Sequence, residues 1–192
     1  MIKKIYDYTL DLSSKEKAMW FLFAISFVES SFFPIPPDIM IIPMVLATPQ
    51  KAYRIALVAT IASVLGGFLG YGIGALLYET VAKPILDFYG YLEKFDGFKE
   101  MYHQYGAWIV FGAGVTPFPY KVITIASGVV GLNLVVFGLA SVVARGLRFY
   151  LVAWLLKKYG APMKIFIEKN LNILATLFFI LLVGGFYLIK FI

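Results

Sequence analysis

Of the 192 residues, 61% are hydrophobic and 18% aromatic, with a mean hydropathy of +0.84 and a net charge of +6, a composition that excludes a water-soluble domain of this size and identifies an integral membrane protein. The absence of cysteine excludes disulfides and thiolate metal sites. Most of the positive charge lies beside apolar segments, where lipid headgroups are its partner, and no nucleic-acid recognition module or soluble basic face accompanies it.

Residues 1–17 mix charge with Tyr6, Tyr8, Leu10 and Leu12, and Ser13 with Glu16 has capping-box spacing, so an interfacial N-terminal helix is expected. Lys3, Lys4, Lys15 and Lys17 precede an apolar run interrupted by Glu29 and Pro34 with no small-residue cleavage site, which is not the pattern of a cleavable signal. Within residues 18–48 the run Pro34-Ile35-Pro36-Pro37-Asp38 breaks the helix, because proline donates no N–H and clashes with the preceding turn. Residues 53–78 carry no charge after Arg54 and exceed the roughly 20 residues a span requires. Residues 79–105 alternate charges with aromatics, the composition of a segment in the headgroup layer. A second break, Pro117-Phe118-Pro119-Tyr120-Lys121, stands 83 positions after the first, inside the apolar stretch 107–132, with the closing charge inverted. Residues 134–156 and 172–192 read as two further spans.

Irregular backbone at membrane depth persists only where protein or a wet cavity satisfies its polar groups, and paired breaks in two repeats mark a binding site. The expected fold is therefore all-α: two units of re-entrant hairpin plus transmembrane helix in opposite orientation, an inverted repeat, with an extra C-terminal span. Basic residues agree. With the N-terminus cytoplasmic, ten lie inside (Lys3, Lys4, Lys15, Lys17, Lys51, Arg54, Lys157, Lys158, Lys164, Lys169) and three outside (Lys83, Lys94, Lys99). The cell inner membrane of a prokaryote is the expected location.

Five charges fall at membrane depth: Glu29, Asp38, Lys121, Arg145 and Arg148. Each costs about 2.5 to 3.5 kcal/mol to insert and so needs a partner or a purpose. Arg145 lies roughly 16 Å along its helix, too deep for easy snorkelling, and Ser141, Arg145 and Arg148 share a face. The five sum to +1, and a cationic surplus with planar guanidinium forks suits phosphate or another anion; static ion pairs bracing the fold are the structural alternative. Gly66, Gly70 and Gly74, with Ala62, recur every four residues and suit close helix packing more than a pore lining. Gly112, Gly114, Gly128 and Gly131 flank the second break and permit its turns. Ser30, Ser31 and Thr116 precede the breaks, as caps for freed carbonyls or as ligand donors. His103 reads as a surface histidine without neighbouring ligands, so neither a metal nor a cofactor is expected; with no nucleophile-elbow, Walker or zincin pattern, neither is an enzyme.

The order Glu29, Phe33-Pro34-Ile35-Pro36-Pro37-Asp38, Gly66-Gly67-Phe68-Leu69-Gly70-Tyr71-Gly72-Ile73-Gly74, Thr116-Pro117-Phe118-Pro119-Tyr120-Lys121 and Ala144-Arg145-Gly146-Leu147-Arg148-Phe149 resembles the DedA family, also called VTT-domain or SNARE-associated Golgi proteins, and looks closest to its short YqaA-like members. The resemblance covers roughly residues 18–159. It implies two facing re-entrant loops and lipid translocation, with the family's first-loop acids at Glu29 and Asp38; where many members carry an Arg pair around the second loop's proline, this chain has Gly114 and Tyr120 or Lys121. The expected function is transport of an anionic lipid headgroup, such as a polyprenyl phosphate or phospholipid, with Lys121, Arg145, Arg148 and Thr116 at the substrate. Glu29 and Asp38 then hold the cations when the site is empty, or relay protons. A proton-coupled transporter of a small solute and a non-transporting scaffold are the rivals, and homo-oligomers are compatible with either.

Overall fold

The structure, a computed structural model, describes residues 18–32, 36–116, 118–160 and 162. The expected interfacial helix at 1–17, the span at 172–192 and the breaking residues Pro34 and Pro117 lie outside the described residues.

Every regular element among the described residues is helical. Helix α1 (Ala18–Ser31) is followed across the first proline break by α2 (Asp38–Ala47). Pro37 precedes α2 at φ −65°, the value its ring fixes, and its carbonyl accepts from the amides of Met40 and Ile41. Thr48 closes α2 by donating its hydroxyl to the Met44 carbonyl, and a 3-10 turn (Pro49–Lys51) leads into α3 (Ala52–Leu77). The 26 residues of α3 extend about 39 Å, enough to cross a hydrocarbon core of about 30 Å.

The helical path does not stop where 53–78 was expected to end. It continues through a π-helical turn (Tyr78–Ala82) into α4 (Lys83–Phe88). Pro84 cannot donate to the preceding turn, and the wider register, in which the Lys83 amide reaches the Tyr78 carbonyl, absorbs that loss. After the turn at Tyr89–Tyr91 comes α5 (Leu92–Val115), a second departure from expectation. It runs unbroken across the boundary placed between residues 105 and 107. Gly106 ends nothing: it is buried against the Leu132 side chain, and Tyr102 and Val110 fill the same face.

The second break delivers α6 (Tyr120–Val130). Gly131 ends it at φ +68°, a left-handed conformation that turns the Leu132 amide back to the Ser127 carbonyl at 2.9 Å. Asn133 then caps α7 (Leu134–Tyr159), its Oδ1 accepting from the amides of Val135 and Val136. Among the described residues two helical runs, Pro49–Phe88 and Leu134–Tyr159, are long and apolar enough to cross a membrane.

Helix α3 is the hub, packing against α1, α6 and α7, while α5 packs against α6 and α7. Its glycine stripe is the reason. A Cβ at Gly66 would strike the Phe27 carbonyl of α1, and one at Gly74 the Ile125 carbonyl of α6, so both broken units lay backbone directly on this helix. One apolar core joins α1, α2, α3 and α7 around Leu22, Met44, Ala56 and Phe149; the other joins α5, α6 and α7 around Val110, Tyr120 and Phe137.

Candidate functional site

Helix α7 presents Ser141, Arg145 and Arg148 on one face, as their spacing requires, and each makes a different bond. Arg145 is 1% exposed. Its Nε donates to Ser63 Oγ of α3, and its Nη2 donates to Glu29 Oε2 of α1 at 2.8 Å. Ser30 ties these partners together, with its hydroxyl 2.6 Å from Ser63 Oγ and 3.0 Å from Glu29 Oε2. Aromatic rings flank the guanidinium: its carbon lies 4.8 Å from the Tyr120 centroid and 4.6 Å from that of Phe149, an arrangement worth roughly 0.5 to 2 kcal/mol per ring. Tyr120 is itself fully buried and donates its hydroxyl to Ser141.

Arg148, one turn on, is less enclosed. Its Nη2 donates to Asp38 Oδ2 at 2.7 Å and its Nη1 to the Thr116 carbonyl at 3.0 Å. Asp38 opens α2 directly after the first break, and Thr116 ends α5 directly before the second, so one guanidinium joins the margins of both. The side chains of Arg148 and Asp38 are 18% and 26% exposed, against 1% and 15% for Arg145 and Glu29. Asp38 Oδ1 is buried without a hydrogen-bond partner among the described residues. A further link runs from α6 to α1: the Thr124 hydroxyl lies 3.2 Å from the Ser30 carbonyl and 2.9 Å from that of Lys121.

The five charges thus resolve into two ion pairs, Arg145–Glu29 and Arg148–Asp38. Lys121, in the first turn of α6 and half-buried, pairs with no carboxylate among the described residues, so the surplus cation of the sequence is located there. Pro36, Pro37 and Pro119 border the site through their breaks. Thr116 enters through its main-chain carbonyl instead of its hydroxyl. Ser31 caps its own helix by donating to Phe27 and Val28 carbonyls, whereas Ser30 joins the arginine network. His103 lies on α5 with Nε2 3.1 Å from the Val130 carbonyl. No cluster of acidic and histidine side chains among the described residues could hold a metal ion.

Sequence reasoning missed Ser63, Phe149 and the ring of Tyr120. Ser63 had a signal, being with Thr60 one of two buried polar residues on the small-residue side of this helix that continues to Gly66, Gly70 and Gly74. The aromatics had none, because Tyr and Phe read as ordinary core residues in an apolar helix.

A buried set of paired charges, held by helices long enough to cross a bilayer and converging on two proline breaks, defines a membrane protein with a polar interior. The family model for the VTT domain matches residues 34–158, and the chain belongs to the DedA family, whose domain this is. It is 36% identical to an uncharacterized protein of Haemophilus influenzae over 186 residues, covering 97% of this chain and 96% of that one. It is 35% identical over 168 residues to an uncharacterized homolog from Histophilus somni, covering 85% and 87%. No solved structure matches.

Proposed function

We propose that the chain carries an anionic, phosphate-bearing lipid across the membrane, its headgroup passing through the polar site between the two breaks. The observation that carries this reading is Arg148, whose guanidinium is shared by Asp38 at one break and Thr116 at the other. A partly exposed cation at the junction of two broken helices is where a headgroup can enter without crossing hydrocarbon. Lys121 adds a cation that the two acids leave unbalanced, and the site belongs to a membrane protein of a family whose model matches residues 34–158. The headgroup binds at Arg148 and Lys121, Arg145 adds its positive charge from within its closed pair with Glu29, and Asp38 balances Arg148 or exchanges protons. The chain acts as a carrier and not as an enzyme, alone or as a homo-oligomer, in the inner membrane of a prokaryote.

In this reading the two broken units are re-entrant and oppositely oriented, with the N-terminus cytoplasmic. The chain has no cysteine, so single introduced thiols report unambiguously. Lys15→Cys and Lys51→Cys should both label from the cytoplasm, and Glu93→Cys and Asn133→Cys from outside. Labelling of Lys15→Cys and Lys51→Cys from opposite sides would convert the first hairpin into two full spans.

The transport test is lipid flux. Purified protein reconstituted into phosphatidylcholine liposomes should move fluorescent phosphatidic acid between leaflets well above the protein-free rate, and polyprenyl phosphate should compete. Flux no faster than in empty liposomes, with the protein folded and inserted, would reject the transport reading. A scaffold would leave the same liposomes inert while needing all four paired charges for its yield.

A further inference from the structure

We propose that Asp38 is an internal stand-in for the phosphate: one oxygen of its carboxylate occupies Nη2 of Arg148, and a headgroup binds by replacing it, while the Arg145–Glu29 pair stays closed throughout. This rests on the transport reading and assigns the exchange to one of two superficially alike ion pairs. The pairs differ in every respect that decides whether a partner can leave.

Arg145 is held from all sides. Three polar groups on α1 and α3 engage it, two rings cover its faces, and Glu29 Oε2 is bound a second time by Ser30. Replacing Glu29 would disturb two helices and a serine bridge. Asp38 has none of this support. Only Oδ2 is engaged, by Arg148 at 2.7 Å, while Oδ1 is buried without a partner among the described residues. Among the described residues Arg148 alone holds this carboxylate, so its release breaks one ion pair and no second bond of Oδ1, and a release that hydrates Oδ1 gives that oxygen a partner. Asp38 also stands immediately after Pro36 and Pro37, at the margin of a helix and not in its interior.

The fork suits the exchange. A carboxylate and a phosphate offer Arg the same planar pair of acceptor oxygens, but phosphate has further oxygens to give. Arg148 Nη1 already points at a main-chain carbonyl, an acceptor that contributes no competing negative charge. Lys121, in the first turn after the opposite break, pairs with no described carboxylate and so remains the unbalanced positive charge among the five.

The prediction is a gain of binding on removing a charged residue from the site. If the Asp38-paired form holds about nine molecules in ten, its loss tightens apparent affinity about tenfold. Full-length protein in neutral detergent is titrated with mixed micelles containing phosphatidic acid and, separately, with glycerol phosphate and inorganic phosphate. Asp38→Asn should bind phosphatidic acid about tenfold more tightly than the wild type; Arg148→Gln should bind it roughly thirtyfold more weakly, and the double variant should match Arg148→Gln alone. Preference for phosphatidic acid over the two soluble phosphates marks a lipid headgroup as the source. Equal tightening toward all three would leave the stand-in intact and instead count against lipid as the cargo. Equal or weaker binding by folded Asp38→Asn overturns the stand-in, as does failure of every phosphate to bind either protein; flux in liposomes decides the transport reading independently. Should Asp38→Asn fold poorly, the wild type supplies a second measurement. Phosphatidic acid, and not phosphatidylcholine, should increase carbodiimide modification of Asp38 by releasing it from Arg148, and unchanged modification at saturating phosphatidic acid would equally overturn the exchange.

Discussion

Replacing Arg145 with Gln is expected to remove most of the folded protein from the membrane. The substitution strands Glu29, leaves Ser63 without its donor and empties the space between Tyr120 and Phe149. Breaking a buried pair in this way costs about 3 to 5 kcal/mol, a large fraction of the roughly 5 to 15 kcal/mol by which folded proteins are stable. Arg145→Lys keeps the charge but cannot reach Ser63 and Glu29 at once or stack on two rings, so its recovery should fall between those of Gln and wild type. Size-exclusion profiles and melting temperatures in one detergent measure both. A Gln variant that melts with the wild type would show that the enclosure contributes nothing.

The neighbouring arginine should behave differently. Arg148→Gln gives up a less enclosed pair than that of Arg145, with side chains 18% and 26% exposed against 1% and 15%, and one bond to a carbonyl, so the charge it strands is nearer to water and the cost smaller than at Arg145. Folded yield should therefore fall less than for Arg145→Gln. Its flux should fall steeply. Losing a hydrogen-bonded charge from a binding site costs about 2 kcal/mol or more, roughly thirtyfold in affinity, and lipid movement in liposomes should fall accordingly. Arg148→Lys should retain part of the flux, because an ammonium attracts phosphate without matching its planar geometry. Normal flux from folded Arg148→Gln would remove this residue from any account of transport, whereas lost yield would make it a brace like Arg145.

Much of this arrangement was legible before the structure, and what was not has identifiable causes. Proline chemistry located both breaks, and a helical period of 3.6 put Ser141, Arg145 and Arg148 on one face. The stripe of Gly66, Gly70 and Gly74 correctly announced close packing. Choosing partners was a different matter. Arg145 and Glu29 are 116 positions apart and Arg148 and Asp38 are 110 apart, and periodicity specifies a face without specifying what will stand opposite it. The Thr116 carbonyl was illegible in principle, because a backbone oxygen has no side-chain signature. Helix α5 was divided too early because its charges and Gly106 resemble a surface segment followed by a turn, whereas packing of Tyr102 and Val110 into the second core overrides that local appearance.

The contact between Gly114 and Ala144 constrains how this sequence can diverge. A Cβ at position 114 would lie 2.6 Å from the Ala144 methyl, with the Tyr120 ring at 3.5 Å and Arg145 Cδ at 3.7 Å. Position 114 therefore cannot acquire a side chain alone. A lineage that places even alanine there must first shrink residue 144 to glycine, which weakens the helix carrying both arginines by about 1 kcal/mol, or else move α5 away from α7 and take the Thr116 carbonyl from Arg148. Substitutions at 114 and 144 should accordingly arise together among descendants of this chain, while Gly112, two residues away with no described atom within 4 Å of its missing Cβ, is not bound by that constraint.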